Sequence, residues 1–351
     1  LIRTLLISVV CLVALAASAA ALWVWQGLET LDQPVALQEP VLFEVPQGSS
    51  FGQVARRLEA EGFVSRAFWL RVHGRLNPDD VRVKAGQYEV TSGMSALDIV
   101  ARMVAGDTKQ WFVQFIEGWT FRGMRQALAN SDRLRQETAE WSDAEVMAAM
   151  GAPDEHPEGR FFPDTYSFTS NESDLDLLKR SFQRMENVLA TEWENRAEGL
   201  PYDSPYEALI MASIVERETG APHERGEVAG VFVRRLQKGM RLQTDPTVIY
   251  GMGDRYIGRI TRKDLQAYTP YNTYRIDGLP PTPIALPGKD AIHAALNPEA
   301  GDTYYFVARG DGTHKFSRTL SEHQQAVREF QLNRRSDYRS SPAPVVPEDN
   351  P

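Results

Sequence analysis

This 351-residue chain contains one cysteine, Cys11, so no intrachain disulfide can form, and redox or cysteine-ligated metal chemistry is argued against. Positive charge is also short. Thirty-eight Lys and Arg face 47 Asp and Glu, a formal charge of −9, where a general nucleic-acid binder would present a basic surface. The six histidines are scattered without a His-Glu-x-x-His pattern, so neither a catalytic metal nor another cofactor is expected. Gly251-Met-Gly253 lacks the third glycine of a dinucleotide loop and the Gly-Lys-Ser/Thr of a phosphate loop. No Gly-x-Ser-x-Gly elbow occurs, which counts against an α/β-hydrolase.

What is present begins with an uncharged apolar run from Leu5 to Trp25. At about 1.5 Å per helical residue it reaches roughly 31 Å, the thickness of a bilayer core. Arg3 precedes the run, whereas Glu29, Asp32, Glu39 and Glu44 follow it, an asymmetry that predicts an inside N-terminus and an outside body. Trp23 and Trp25 are placed as outer-interface anchors. Ala17-Ser18-Ala19 could be a signal-peptidase site, but the apolar run continues through it, which favours a retained anchor. Lipidation at Cys11 is disfavoured by the bulky Val10 before it and by an apolar core that follows the cysteine.

Residues 26–40 read as a linker. Val41–Val45 alternates like a strand, and a helix follows Ser50 with Val54, Ala55 and Leu58 at helical spacing, stopping at Gly62. A second short helix is predicted over Ala67–His73, and a returning strand over Lys84–Val90. Ser95 and Asp98 form a capping-box pattern for a helix that stops at Gly106. Gly48-x-Ser50 and Gly93-x-Ser95 share a spacing, a weak internal repeat. "VPQGSSFGQVARRLEAEGFVS…VKAGQYEV" resembles a diverged LysM-type module, which implies glycan binding; a spacer role is the plainer alternative.

From about Trp111 a larger mixed domain is predicted. Helices are expected over Asp174–Leu189, Tyr206–Glu218, Glu224–Lys238 and about Ser321–Asn333, with hairpin strands Tyr304–Val307 and His314–Phe316 around an Asp-Gly turn. The tail from Ser340 is proline-rich and expected to be disordered.

The helix ending in "IMASIVERETG" carries two carboxylates. Glu218 falls on the stripe of Met211, Ile214 and Val215, and Glu216 lies about 200° away around the helix, below Leu209, Ala212 and Ser213. A carboxylate on an apolar stripe loses water, which raises its pKa toward the range a general acid needs. A solvated helix end is the alternative.

Downstream, Arg241–Gly251, Tyr271–Tyr274, Gly278–Ile284 and Asn297-Pro298 collect amides, hydroxyls, carboxylates and tyrosines. Such groups bond sugar hydroxyls and acetamido groups, and tyrosine rings stack on pyranose faces.

"EGRFFPDTY" (158–166), "ASIVERETG" (212–220), "RLQTDPTVIYGMG" (241–253), "YNTY" (271–274) and "GLPPTPIALPG" (278–288) occur in the order and spacing of the YceG-like (MltG) family. The chain resembles these membrane-anchored endolytic murein transglycosylases over nearly its whole length. The resemblance implies Glu218 as the catalytic residue, with Glu216 supporting. It implies cleavage of the MurNAc-β-1,4-GlcNAc bond to a 1,6-anhydromuramoyl end, ending growth of nascent glycan strands. Gln243, Asp245, Tyr250, Tyr271 and Asn272 are placed around the substrate, and Arg160 and Tyr166 are weaker candidates. Asp245 could also come near Glu218, which leaves a two-carboxylate muramidase-type hydrolase open; a non-catalytic glycan-binding scaffold is the other alternative. Peptidoglycan strands and, through the family, peptidoglycan synthases (penicillin-binding proteins) are the implied partners.

The expected fold class is α+β. Residues 1–4 form a cytoplasmic stub, 5–25 an inner-membrane helix and 26–40 the linker. The periplasmic part comprises the LysM-like module 41–109, a catalytic domain 110–335 and a disordered tail 336–351.

Overall fold

The computed structural model of the protein describes residues 2–332; the tail expected to be disordered lies outside them. The fold is mixed α+β and falls into two compact units. One comprises the chain up to Trp111 together with Ser167–Glu172, the other Phe112–Tyr166 together with the chain from Ser173 onward.

The first unit opens with helix α1, Ile2–Glu29, whose apolar side chains are exposed over most of its length. Among the described residues it is the one helix long and apolar enough to cross a membrane, with a mean hydropathy of 2.7. Residues 26–40 are not a free linker. The helix continues through them to Glu29, Leu31 is fully buried, and Val35 pairs by backbone with Gly93 and Met94. The apolar Leu31, Val35 and Leu37 explain this, because each has a place in or against the core of the unit.

Strands β1 (Val41–Val45) and β2 (Gly86–Val90) pair antiparallel, with Phe43 opposite Tyr88 and Val45 opposite Gly86. Alternate side chains on each strand point inward, the period-two pattern of a half-buried sheet. Helices α2 (Phe51–Ala60) and α3 (Ala67–Leu76) fill the connection, and α4 (Ala96–Ala105) follows β2. The α4 capping box forms as expected: Ser95 Oγ accepts from the Asp98 amide at 3.1 Å, and Asp98 accepts from the Ser95 amide at 2.8 Å. Gly106 ends α4 in the left-handed conformation. The Gly48 and Gly93 segments are two strand–turn–capped-helix units with the same spacing from strand end to Ser cap.

Strand β3 (Trp111–Gln114) leads into α5 (Phe121–Ala129) and α6 (Asp143–Ala149), then β4 (Thr165–Phe168). In the second unit α7 (Asp174–Glu194), α8 (Pro205–Glu218) and α9 (Arg225–Gln237) are followed by short helices α10 (Asp245–Met252) and α11 (Arg262–Gln266), then α12 (Lys289–Leu296). Helix α8 is the centre: Ala208–Val215 are all buried, and α7, α9, α10 and α12 pack around it. A hairpin of β5 (Tyr305–Ala308) and β6 (His314–Ser317) carries the Asp311-Gly312 turn. Helix α13 (Leu320–Val327) runs into a short π-helical stretch, Arg328–Leu332.

Candidate active site

Helix α8 starts at a Ser204 cap, whose hydroxyl accepts from the Glu207 amide, and Pro205 occupies its first position. Because its middle is buried on every side, the helix has no solvent face to shelter a carboxylate, and both Glu216 and Glu218 lose water. Burial raises the pKa of each. Their surroundings differ. Glu216 Oε2 accepts from the Gly288 amide at 3.0 Å, at the N-terminus of α12, and Oε1 lies 3.6 Å from the Arg225 guanidinium. Arg217, between them, is exposed and donates to the Gly118 carbonyl.

Glu218 Oε2 accepts a single hydrogen bond, from the Thr244 hydroxyl at 2.8 Å. Its other oxygen has no hydrogen-bonding partner among the described residues, and the residue keeps partial exposure. Burial pushes its pKa up to about 7. The Thr244 bond opposes that shift, the nearby Asp245 charge adds to it, and Arg235 pulls weakly back. A group with that pKa is present near neutrality both as acid and as base.

Thr244 is itself locked in place. Its amide donates to Thr273 Oγ1 at 3.1 Å, Thr247 Oγ1 donates to its carbonyl at 2.9 Å, and Thr247 and Thr273 share a hydroxyl contact of 2.9 Å. All three threonines are buried. Arg235 of α9 holds the approach to this turn by donating to the Leu242 carbonyl at 2.6 Å. Just before Thr244 stands Gln243, exposed and held at φ +52°, the one non-glycine with positive φ among the described residues. Strain of this kind persists only where surrounding bonds over-determine the backbone, and it gathers at functional turns.

A second carboxyl lies along α10. Glu158 is buried, accepts from the Phe121 amide at 2.9 Å through Oε1, and accepts from the Tyr250 hydroxyl at 3.1 Å through Oε2. Burial again pushes its pKa to about 7. Gly159 makes the placement possible: its φ is +78°, and a Cβ there would lie 2.5 Å from Pro283. The Tyr250 ring meets Tyr271 edge-on at 4.9 Å, and the Tyr271 hydroxyl bonds Thr282. Two cavities border this row. One, about 580 Å³, is lined by Trp119, Gln126, Asn130, Arg217 and Tyr250; the other, about 750 Å³, by His156, Glu158, Tyr250, Tyr256 and Tyr271.

Of the residues selected from sequence, Glu218, Gln243 and Asp245 meet around Thr244. Asp245 is exposed and accepts from the Tyr274 hydroxyl at 2.7 Å. Tyr250 and Tyr271 meet at Glu158. Asn272 is buried and turned into its own loop: its NH₂ donates to the carbonyls of Asp264, Leu265 and Ala267, and its oxygen accepts from the Tyr274 amide. Arg160 is buried in ion pairs with Glu155 and Glu186, its guanidinium over the Phe182 ring. Tyr166 packs against Phe115 and donates to the Phe162 carbonyl.

The sequence segments converging here are the five blocks singled out above, and a sequence model of the YceG-like family matches residues 43–329. The chain belongs to the YceG-like family. An endolytic murein transglycosylase of Bacillus subtilis (strain 168) is 30% identical over 311 residues, covering 83% of this chain and 84% of that protein. One from Streptococcus pneumoniae serotype 2 (strain D39 / NCTC 7466) is 25% identical over 319 residues, 81% of this chain and 57% of its own length. A crystal structure of a YceG-like protein from Listeria monocytogenes, 31% identical, aligns with 83% of this chain and 100% of its own at a TM-score of 0.51.

In this YceG-like chain the sequence reading passed over Thr244, Thr247, Thr273 and Glu158, although all four stand inside the quoted blocks. A signal existed for Glu158, an acid next to a glycine at the head of a largely apolar block. For the threonines there was none, since Thr244 and Thr273 meet only through the fold.

Proposed function

We propose that this chain is an endolytic peptidoglycan lytic transglycosylase, with Glu218 as its acid and base. The family and its relatives named as endolytic murein transglycosylases support the activity. The observation that carries the mechanism is a partly buried carboxyl with one hydroxyl donor and a pKa near 7 at the end of the central helix.

In the reaction, protonated Glu218 gives its proton to the glycosidic oxygen between N-acetylmuramic acid and N-acetylglucosamine. The bond from the muramoyl anomeric carbon to that oxygen breaks, and the N-acetylglucosamine hydroxyl leaves. Glu218, now ionised, takes the proton from the muramoyl 6-hydroxyl as O6 bonds the anomeric carbon. A 1,6-anhydro ring forms, and the enzyme regains its proton without consuming water. Gln243 and Asp245, on either side of Thr244, are assigned to the glycan beside the reacting bond, and Tyr250 and Tyr271 to more distant sugars. Glu216 supports the end of the helix.

The apolar helix α1 is assigned as a retained inner-membrane anchor, with Arg3 on the inner side and the acidic body outside. The β1–α2–α3–β2 segment is assigned as the LysM-like glycan-binding part. Peptidoglycan synthases are the partners the family implies.

Mass spectrometry of glycan fragments tests the chemistry. Wild type should release products one water lighter than hydrolysis products, and Glu218→Gln should release them at least about a hundredfold more slowly. Products of hydrolytic mass would mean a muramidase. No cleavage of uncrosslinked nascent strands by wild type would leave a scaffold.

A further inference from the structure

The apolar helix is built into the folded unit that follows it. Gly27 of α1 lies flat under the Trp69 indole of α3, where a Cβ would come within 2.1 Å of the ring. One turn earlier, Trp23 meets the same indole at 4.7 Å and the Phe68 ring at 6.1 Å, and Phe68 and Trp69 are 4.9 Å apart. At the other end of the contact, Ser65 Oγ lies 3.5 Å from Thr30 Oγ1. As the chain advances from Ser65 to Trp69, its contacts therefore step back along α1 from Thr30 to Trp23, toward the apolar run. Helix α3 thus meets α1 through its first turn, at the end of the apolar run.

The free side of α3 has the composition of a lipid-contacting surface. Phe68 is 43% exposed and Leu76 65%, while Trp23 and Trp25 of α1 are 54% and 60% exposed. Phe68, Arg71 and Arg75 recur at the spacing of one helical face, and all three are exposed. Arg71 and Arg75 have no acidic partner among the described residues, although the chain carries an excess of acids. The nearby acids are engaged elsewhere, Asp80 with His73 and Asp79 with Arg82. Tryptophan favours the headgroup layer, phenylalanine and leucine form the apolar face of interfacial helices, and a guanidinium matches lipid phosphate.

We propose that the exposed face of α3, with Phe68, Arg71, Arg75 and Leu76, is a bilayer-docking surface that sits on the phosphate headgroups of the leaflet from which α1 emerges. This rests on α1 crossing the membrane as assigned above. If Trp23 sits at the outer interface, Phe68 sits there too, because their rings touch. The first unit is then seated on the lipid by two contacts, a spanning helix and an interfacial one, joined by the Trp23–Phe68–Trp69 cluster.

The test uses the full chain in nanodiscs containing anionic phosphatidylglycerol, with an environment-sensitive fluorophore on one cysteine at a time. The native Cys11, on the exposed surface of α1, reports the crossing through quenching by acyl-chain spin labels. Phe68→Cys, Leu76→Cys and, as a control near the C-terminus of α2, Ala60→Cys are made in a Cys11→Ser background. The expected result is blue-shifted emission at residues 68 and 76, most of it lost to headgroup spin labels, with water-like emission at residue 60. Arg71→Gln and Arg75→Gln should each lower the docked-to-undocked ratio at residue 76 about fivefold, the effect of one basic residue near an anionic surface. Quenching at Cys11 with residues 68 and 76 behaving like residue 60 would overturn the docking surface alone. An unquenched Cys11 would overturn the membrane assignment and the docking surface with it.

Discussion

The two ends of Arg217 make a controlled comparison. Glu216 and Glu218 stand two residues apart at the end of one buried helix, and burial raises both pKa values. On the Glu216 side the carboxyl meets a helix-terminal amide and a guanidinium, which oppose the push of burial and of the acidic neighbours Glu117 and Asp290, so the group ties α8 to α12. On the Glu218 side it meets one hydroxyl, a like-charged neighbour and the open end of a strained turn. The same residue type, short of water in both places, becomes a brace in one and a poised acid in the other. What separates them most visibly is what answers the charge: an amide and a guanidinium at Glu216, one hydroxyl at Glu218.

The sharpest way to break this contrast is to replace each acid. Glu218→Gln keeps the shape and removes the transferable proton, so turnover should fall by roughly 10²- to 10⁴-fold, measured as anhydro-product release over time. The same variant should become more stable than wild type as pH rises. The folded-state pKa of Glu218, about 7, lies above its unfolded value near 4.5, so wild type loses stability as pH climbs through that window. Urea unfolding at pH 4 and pH 8 reads the difference: near zero at the lower pH, below the unfolded pKa, and in favour of the variant at the higher.

Glu216→Ala should do the reverse. It leaves the Gly288 amide without its acceptor and takes one of three carboxylates from Arg225, which keeps Asp290 and Glu117, so stability should drop by about 1–3 kcal/mol, read from urea midpoints, while turnover of the folded fraction stays within a few-fold. A fully folded Glu216→Ala protein without activity would end the distinction between brace and acid.

Thr244→Val sharpens the comparison by removing the one bond that holds the Glu218 pKa down. The pKa should rise by about one unit, and the falling alkaline limb of the kcat profile should move to higher pH with it. A limb that stays in place would mean that another group sets it.

Much of this architecture was legible in the sequence, for reasons that can be named. The Ser95–Asp98 cap, the Gly106 stop and the Asp311-Gly312 hairpin are local chemistry, and each formed where expected. That Glu218 lies at a buried helix end followed from the apolar positions of α8. The face argument that set it apart from Glu216 did not survive, because the helix is buried all round. Nor did the linker at 26–40, since Leu31 finds its place in a core made by residues far along the chain. Arg160 looked available for a ligand, but Glu155 and Glu186 meet it only in three dimensions. The threonine lock joins residues 29 apart in sequence, a spacing no periodicity encodes.

The mildest expected effect concerns the second carboxyl. Tyr250→Phe keeps the ring against Tyr271 and removes only the hydroxyl that donates to Glu158. Glu158 retains the Phe121 amide, and with its pKa already near 7 it can stay neutral where an ionised carboxylate would need that donor. The loss should therefore be that of one hydrogen bond, about 1 kcal/mol, or roughly fivefold in kcat/KM. It should fall on KM if Tyr250 holds a sugar remote from the broken bond, with kcat and its pH profile unchanged. A loss as large as that of Glu218→Gln, carried by kcat, would mean that Glu158 and Tyr250 take part in the proton transfer itself, and the poised acid would then have to be sought at both carboxyls.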